Sequence, residues 1–440
     1  MRVNSNSADR PSTSEIATQG DGLVSSTESK PMQHYLMVVL WGFPEPSQTF
    51  IQRELEEMHR QGCTVNMLAG HRVHRTDISP ELEDIASRGI YLGHPAAWAI
   101  KGLGYAARHP VRFASTLWWG VRLPHRTLFR HFRIIGLLLA AASVADRVRA
   151  MGFTYIHAHF ASYHTEFAMC LSRLTGIPYG FTGHATGIWK DRNILAEKIS
   201  DARVVLTCTR HNADHLRSLA PAHAEKVHLL FHGLAFERLP EPTPLPSGST
   251  THFTAIGRLV TKKGFAYLLD AAALLRDRGH DIHVNIIGDG PERERLTAQI
   301  ERLGLQEHVT MLGAMPNRNV WDVLLRSHAL VAPSVQAADG NMDGIPNVTL
   351  EAMAMARPVI GTELSGIPEV VFPGKTGLLA PPADAEALAD AMAYMATHHE
   401  EAAAMGQEAR AFVRAHFDLT TNTRVQIELL REAAERAVLV

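Results

Sequence analysis

The sequence predicts an α/β protein with two doubly wound domains of parallel β-sheet, on three observations. Short apolar runs alternate with helical patterns along most of the 440 residues, which is typical of parallel strands covered by helices. The alternation stops at a proline-rich segment, residues 237–251, and then starts again. The composition, 46% hydrophobic and 20% charged, is that of a globular chain able to bury a large core.

The part of the chain before the proline-rich segment contains the strands of the first predicted sheet. They are apolar runs, of which the first includes Val38, Val39 and Leu40. A helix is predicted over residues 49–61, directly after the first strand. The predicted strands are residues 35–41, 64–69, 155–159, 179–182, 204–208 and 227–231.

The segment 237–251 is predicted to be an interdomain linker. Four prolines fall within the seven residues 240–246 and Ser-Gly-Ser follows, so the segment suits neither helix nor central strand. After it the predicted strands are 252–256, 282–287, 309–312, 329–332 and 358–361. The predicted helices are 265–278, 292–303, 319–326, 348–356 and 384–396. Two such domains leave a cleft, and ligands bind at the carboxyl ends of the strands.

Composition also indicates the character of the N-terminal residues and the cellular location of the protein. Residues 1–32 are polar and predict a disordered leader that lacks the apolar segment of a secretory signal. The apolar run 134–145 is shorter than the roughly 20 residues of a membrane span. A net charge of −2 excludes a general attraction to nucleic acid. Three scattered cysteines indicate neither disulfides nor a zinc site, and the expected location is the cytoplasm.

The strongest motif is residues 339–354, in which Asp343 and Glu351 lie eight positions apart. Asp343 falls in a Gly/Pro loop and Glu351 about one turn into a predicted helix, with Asn347 as a plausible N-cap. Free N–H groups from Ile345 to Val348 would offer an anion site. Glu351 could accept two hydrogen bonds from a ribose. The alternative is a helix whose early acid merely favours the macrodipole.

Two further motifs follow predicted strands. Gly257, Arg258, Lys263 and Gly264 come after the strand 252–256 and just before a helix. Arginine and lysine there suit a diphosphate, although a solvated basic turn is the alternative. Residues 288–290, Gly-Asp-Gly, also end a strand, but they do not form the G-x-G-x-x-G fingerprint of nicotinamide enzymes.

Together these motifs resemble glycosyltransferase family 4, which has the GT-B fold. Its elements G-R-x-x-x-x-K-G, G-x-G and E-x(7)-E align with residues 257–264, 288–290 and 343–351. The resemblance implies a nucleotide-sugar donor bound by residues 252–414. Asp343, where the family usually has Glu, would touch the transferred sugar. The donor-binding residues it implies are Gly257, Arg258, Lys263, Gly288, Gly290, Asn347, Val348 and Glu351.

The N-terminal half, residues 33–236, is expected to bind the acceptor. Residues 43–50, Phe-Pro-Glu-Pro-Ser-Gln-Thr-Phe, resemble the acceptor-side loop of the exopolysaccharide and colanic-acid branch of the family, which places Ser47, Gln48 and Thr49 on the acceptor side. By the same resemblance His184 lies near the donor sugar. His157 and His159 are expected to be structural, and a C-terminal helix within 415–440 to pack back on the N-terminal domain.

The resemblance implies transfer with retention of configuration, with His184, Arg258, Lys263 and Asp343 as catalytic residues. No Asp-x-Asp pair is present, so no metal and no other cofactor is expected, and protein cations would stabilise the leaving diphosphate. The expected donor is a UDP- or GDP-sugar and the acceptor a glycan or lipid-linked glycan. A phosphorylase, an epimerase, an inactive sugar-nucleotide-binding protein and a nicotinamide oxidoreductase are the alternatives, the last disfavoured by its missing fingerprint.

Residues 85–145 contain no acidic residue. Basic and aromatic residues together favour contact with an anionic membrane surface, and the alternative is a set of ordinary helices packed on the sheet. The expected location is therefore cytoplasmic and peripheral on the inner face of the plasma membrane. The residues concerned are Arg88, Lys101, Arg108, Arg112, Arg122, Arg126, Arg130 and Arg133, interleaved with Trp98, Phe113, Trp118, Trp119, Phe129 and Phe132.

Overall fold

The computed structural model describes residues 34–45, 48–75 and 78–435. The predicted leader 1–32 and the last residues of the predicted C-terminal helix lie outside them. The described chain forms two parallel sheets, each covered by helices. The predicted α/β fold with two doubly wound domains is confirmed.

The first sheet has seven strands in the order β3-β2-β1-β4-β5-β6-β7, all parallel. β6 and β7 are shorter than predicted, because only three residues of each pair with a neighbour. The strands are β1 His34–Phe43, β2 Thr64–Arg72, β3 Ile90–Tyr91, β4 Tyr155–His159, β5 Tyr179–Gly183, β6 Val205–Thr207 and β7 Val227–Leu229.

The second sheet has six parallel strands in the order β10-β9-β8-β11-β12-β13. β13 was not predicted; it is the edge strand that pairs with β12. The strands are β8 Thr251–Ile256, β9 Ile282–Ile287, β10 Val309–Gly313, β11 Ala329–Ala332, β12 Val359–Thr362 and β13 Gly377–Ala380.

Helices cover both sheets. In the first domain they are α1 Thr49–Arg60, α2 Pro80–Ser87, α3 Pro95–Arg108, α4 Pro110–Arg122, α5 Leu128–Ala150, α6 Tyr163–Thr175, α7 Leu195–Asp201 and α8 Arg210–Leu219. The later helices are α9 Phe265–Asp277, α10 Arg293–Arg302, α11 Asn317–Leu325, α12 Asn347–Ala354, α13 Ala385–Thr397, α14 His399–His416 and α15 Leu419–Glu435.

Each sheet reverses its winding direction once, and this places the site. The reversal lies between β1 and β4 in the first sheet and between β8 and β11 in the second. A crevice opens at the carboxyl ends of the strands on either side of such a point. The loops that follow β8 and β11 therefore start at the crevice of the second domain.

The proline-rich connection is irregular between Leu239 and Thr250 and is held by the buried Arg357. The guanidinium donates to the Thr243 carbonyl at 2.8 Å and to the Leu325 carbonyl at 2.7 Å. Burial lowers the pKa of Arg357 to about 10. These hydrogen bonds tie the connection to the end of α11.

The last described helix, α15, lies against α1 of the first domain. Gln426 donates to Glu54 at 2.7 Å, and Leu430 is buried in the core that surrounds β1 and β2. Burial raises the pKa of Glu54 to about 7, against the hydrogen bond from Gln426. The chain thus crosses from the second domain back to the first after Asp418, which forms a bridge with Leu234.

The apolar run 134–145 is part of α5, a 23-residue helix. Within the described ranges α5 is the one helix that is long and apolar enough to cross a membrane by length and composition. Its inner face, which includes Ile134, Leu138 and Val148, is buried in the core of the first domain. The apolar run 134–145 is shorter than a membrane span, as expected, but the whole helix α5 is long enough to form one.

Candidate functional site

The loops after β8 and β11 approach each other closely at Gly264. This residue has φ +68°, and a Cβ there would lie 1.8 Å from the carbonyl oxygen of Pro333. Only glycine combines this left-handed conformation with so close an approach. The glycine of the lysine-glycine pair thereby holds the basic loop against the loop that carries Asp343.

Two lysines of the first loop converge on Asp343. Lys263 Nζ lies 2.8 Å from one carboxylate oxygen and Lys262 Nζ lies 2.9 Å from the other. The Ser334 hydroxyl adds a hydrogen bond of 3.3 Å. Burial acts to raise the pKa of Asp343, but the two ammonium groups outweigh it and hold the pKa below its ordinary value. The site therefore carries two positive charges and one negative charge.

The other predicted residues of this loop frame the lysines. Arg258 is exposed two residues after the end of β8. Gly288 has φ +142°, and a Cβ there would lie 2.0 Å from the Gly257 carbonyl oxygen. Likewise, a Cβ on Gly290 would lie 2.5 Å from the Leu259 oxygen. The small residues allow the backbones that follow β8 and β9 to stack.

Glu351 lies one turn into α12, as predicted, but the predicted N-cap is wrong. Asn347 is the first helical residue, Pro346 precedes it, and no side chain among the described residues caps the helix. Proline at this place presets an extended backbone, so the loop enters the helix without a polar cap. The first N–H groups of a helix have no partner within it, and those of Asn347 and Val348 begin α12.

The Glu351 carboxylate is held from two sides. Trp321 of α11 donates to one oxygen at 3.3 Å, and Arg53 of α1 approaches the other at 3.5 Å. The Arg53 contact crosses from the first domain to the second. A cavity of about 440 Å³ opens between α1 and α11, and Thr49, Arg53 and Trp321 line it.

Two other acidic residues of the second domain contact the first. Glu369 accepts hydrogen bonds from the backbone N–H groups of Arg210 and His211, at 2.7 and 2.8 Å, at the start of α8. Burial raises the pKa of Glu369 despite these bonds. Lys190 lies 2.8 Å from Asp339. Together with Arg53 and Glu351, these pairs hold the two sides of the cleft together.

His184 follows β5 on the opposite side of the cleft and is buried. Its ring lies 5.0 Å from Phe50, the last residue of the predicted acceptor-side motif, and 4.8 Å from Phe160. Burial, reinforced by the nearby His232, holds the pKa of His184 well below its ordinary value. The imidazole is therefore neutral at physiological pH.

The predicted acceptor-side residues lie before and at the start of α1. Ser47 is outside the described residues. Gln48 is buried, and neither of its amide atoms has a hydrogen-bond partner among the described residues. Thr49, the first residue of α1, lines the cavity near Glu351. A buried amide without partners can bond to the hydroxyl groups of a ligand.

The other histidines and the asparagine of the first domain make local contacts. His157 bonds to the Thr182 hydroxyl at 2.7 Å, and its burial lowers its pKa to about 3. His159 is fully buried. Asn212 does not cap α8, because Thr209 does; its amide oxygen instead accepts from Trp189 at 2.8 Å.

Sequence reasoning missed Lys262 and Arg53 as members of the site. Lys262 directly precedes Lys263 in the sequence, and that adjacency was the available signal. Arg53 is a half-buried residue of α1. No sequence pattern around it indicates a role in the site, because its partner Glu351 belongs to the other domain.

The sequence profile of the family "Glycosyl transferases group 1" matches residues 242–412. The chain is 34% identical over 209 residues to a putative colanic acid biosynthesis glycosyltransferase, WcaL, of Escherichia coli (strain K12). The aligned region covers 47% of this chain and 51% of that protein. It is 33% identical over 180 residues to the amylovoran biosynthesis glycosyltransferase AmsK of Erwinia amylovora, covering 41% and 44%. The matched region thus spans about half the length of these relatives.

Solved structures share the whole fold. The Anabaena protein Alr3699/HepE in complex with UDP superposes with a TM-score of 0.67 at 15% identity, covering 91% of this chain and all of that one. The predicted GT-B fold and the predicted resemblance to the exopolysaccharide branch are both confirmed. The second domain of the chain, over residues 242–412, is therefore similar to the glycosyl transferases group 1 family.

Proposed function

We propose that the protein is a retaining, metal-independent glycosyltransferase that uses a UDP- or GDP-sugar. It would transfer the sugar to a glycan or lipid-linked acceptor in exopolysaccharide or other cell-surface polysaccharide synthesis. The observation that carries the proposal is the pair of lysines on Asp343, at the point where the second sheet reverses. A compact positive charge at such a crevice suits a diphosphate.

Each donor-binding residue has a role that follows from its surroundings. Lys263 and Arg258 would neutralise the diphosphate, aided by the first N–H groups of α12. Glu351, one turn further along, would accept hydrogen bonds from the two ribose hydroxyls. Asp343 would accept a hydrogen bond from the transferred sugar once the diphosphate draws Lys263 towards itself.

In the transfer, the bond between the anomeric carbon and the diphosphate oxygen breaks and the electron pair stays with the diphosphate. The acceptor hydroxyl oxygen bonds to the same carbon from the same face, and its proton leaves with the diphosphate. Positive groups placed where this charge develops lower the barrier without any metal. Neutral His184 offers a hydrogen bond near the sugar without adding another charge.

The reaction is tested with radiolabelled nucleotide sugars and purified protein. We expect label to move from UDP- or GDP-sugar to a lipid-linked or glycan acceptor. Release of free sugar without transfer, or no consumption of any donor, would instead indicate a hydrolytic or inactive nucleotide-sugar-binding protein. A nucleotide sugar with altered configuration would indicate an epimerase, and formation of a sugar phosphate would indicate a phosphorylase.

Glu351→Gln is expected to weaken binding of the nucleoside diphosphate by about tenfold, because an amide cannot accept two hydroxyl hydrogen bonds as a carboxylate can. Isothermal titration calorimetry measures the change. Glu363→Gln, a replacement of an exposed glutamate on the same domain, is the matched control. Equal affinity of Glu351→Gln and wild type would refute the ribose role.

Chelation is expected to leave transfer undiminished, because Lys263 and Arg258 supply the neutralising charge. The test compares initial rates with and without excess EDTA. A loss of activity that Mg²⁺ or Mn²⁺ restores would contradict the metal-independent mechanism.

We also propose that the first domain rests on an anionic membrane surface. Seven large apolar side chains between residues 100 and 132 are 59–82% exposed. They lie on α3, α4 and the start of α5 beside the exposed Lys101, Arg122 and Arg126. Other members of the predicted patch are engaged in the fold: Trp98, Phe113 and Trp119 pack against the core, and Arg108 pairs with Asp146. The apolar set is Ile100, Leu103, Val111, Trp118, Leu128, Phe129 and Phe132.

Flotation with liposomes tests this surface. The protein should float with anionic vesicles at low salt and float less as salt rises, since each nearby Lys or Arg contributes about 1 kcal/mol. Replacing Phe129 and Phe132 with serine should reduce flotation, whereas Tyr394→Ser on the second domain should not. Protein that stays at the bottom with anionic vesicles at low salt would contradict the proposal.

A further inference from the structure

Three potential metal ligands meet at the ends of three neighbouring strands in the first domain. His184 follows β5, Cys208 follows β6, and His232 lies three residues after β7. These strands are adjacent and parallel, so their carboxyl ends share one edge. One ligand atom from each of the three side chains lies within 4.8 Å of the other two.

His184 supplies a second, independent indication of a ligand. Its side chain is 8% exposed, and Nε2 is buried without a hydrogen-bond partner among the described residues. A buried polar atom without a partner is costly to the fold. The His184 and His232 rings are nearly parallel, with centroids 5.2 Å apart, so a modest rotation of one ring is needed for both to direct a nitrogen at one ion.

The ligand types select the kind of ion. One thiolate and two imidazoles favour Zn²⁺ or Co²⁺ over Mg²⁺ or Ca²⁺, which prefer oxygen. Ligand atoms of a tetrahedral zinc site lie about 3.3–3.6 Å apart, given Zn–S of about 2.3 Å and Zn–N of about 2.0 Å. The three ligand atoms lie within 4.8 Å of one another. Side-chain rotations that move a ligand atom by roughly one ångström would bring them to the distances of a zinc site.

We propose that His184, Cys208 and His232 bind a thiophilic divalent cation, with water as the fourth ligand, and that the bound ion inhibits transfer. Binding converts the Cys208 thiol to a thiolate and releases its proton to solvent. The ion binds the neutral His184 imidazole, which can then no longer offer its hydrogen bond near the transferred sugar. Only the inhibition rests on the proposed function; the binding does not.

The scattered cysteines predict no zinc site, and the sequence could not indicate this one. Its ligands follow three different strands, and no short spacing links them in the chain. Proximity arises only when β5, β6 and β7 pair side by side.

Titration of the full chain with Co²⁺ under anaerobic conditions tests binding. Wild type should develop a thiolate-to-cobalt charge-transfer band and the intense visible bands of four-coordinate cobalt, and Zn²⁺ should displace both. Cys208→Ser should lose the charge-transfer band and bind at least about tenfold more weakly. Cys63→Ser, a serine replacement of a buried cysteine outside the cluster, should behave as wild type.

A wild-type spectrum without the charge-transfer band, or a band that persists in Cys208→Ser, would overturn the site. If Cys208→Ser does not fold by circular dichroism, His232→Asn replaces it, and the visible bands should then weaken. Zn²⁺ should inhibit transfer by wild type at least about tenfold more strongly than by Cys208→Ser. Cobalt bands without zinc inhibition would overturn the inhibition, and a protein inactive without zinc would count against the proposed function alone.

Discussion

Replacing Lys263 with alanine is expected to lower kcat/KM for sugar transfer by about 100-fold or more while leaving the fold intact. The side chain is a positive group at the crevice of the second sheet, and removal of one such group from a developing charge typically costs 10²–10³ in rate. Lys263 bonds to Asp343 through a partly exposed ammonium group, so its loss leaves no large cavity. Steady-state transfer assays measure the effect.

Two companion variants sharpen this result. Arg258→Ala should also reduce transfer, by at least about tenfold, because a charge-assisted hydrogen bond to the diphosphate is lost. Lys375→Ala removes an exposed lysine of the same domain and should leave the rate unchanged. Wild-type rates for both Lys263→Ala and Arg258→Ala would show that the diphosphate lies elsewhere.

Asp343→Ala is expected to separate donor binding from transfer. Without the carboxylate, Lys262 and Lys263 lose their common partner and remain free to bind a diphosphate. The affinity for the bare nucleoside diphosphate should therefore hold or rise, whereas transfer should fall by at least about tenfold, because the hydrogen bond to the sugar is gone. Calorimetric titration and the transfer assay measure the two quantities on one preparation.

A conservative substitution at the same position is the control for Asp343→Ala. Asp343→Glu introduces the residue usual at this position in glycosyltransferase family 4, which the motif resembles, with one more methylene, and should retain transfer. If Asp343→Ala weakens diphosphate binding as much as it weakens transfer, the carboxylate serves only to hold the lysines in place.

The fold could be predicted largely from the sequence, because buried parallel strands are near-continuous apolar runs. The strands β4, β9 and β11 lie at the predicted residues. The prediction failed where periodicity is weak. β13 is a short edge strand, and the helices α3 to α5 combine exposed aromatic residues with buried small residues such as Ala141 and Ala145, which obscures the amphipathic pattern.

The sequence predicted the parts of the site that lie on loops directly after strands, but not the contacts between the two domains. Lys263 and Asp343 each follow a strand end, so the topology brings them together at 2.8 Å. The pairing of Arg53 with Glu351 depends on how the two domains face each other, and no local pattern encodes that. The N-cap prediction at Asn347 failed because a proline before the helix replaces a polar cap.

The measurement that tests the central claim most directly is the thermal unfolding midpoint of the protein as UDP or GDP is added. A nucleoside diphosphate bound at Lys263 and Glu351 should stabilise the wild type by about 2.7 kcal/mol at 100 times its dissociation constant. At the same concentration, a variant that combines Lys263→Ala with Glu351→Gln should gain much less. A wild type whose midpoint does not rise with either nucleotide, or a double variant stabilised as much as wild type, would contradict the account.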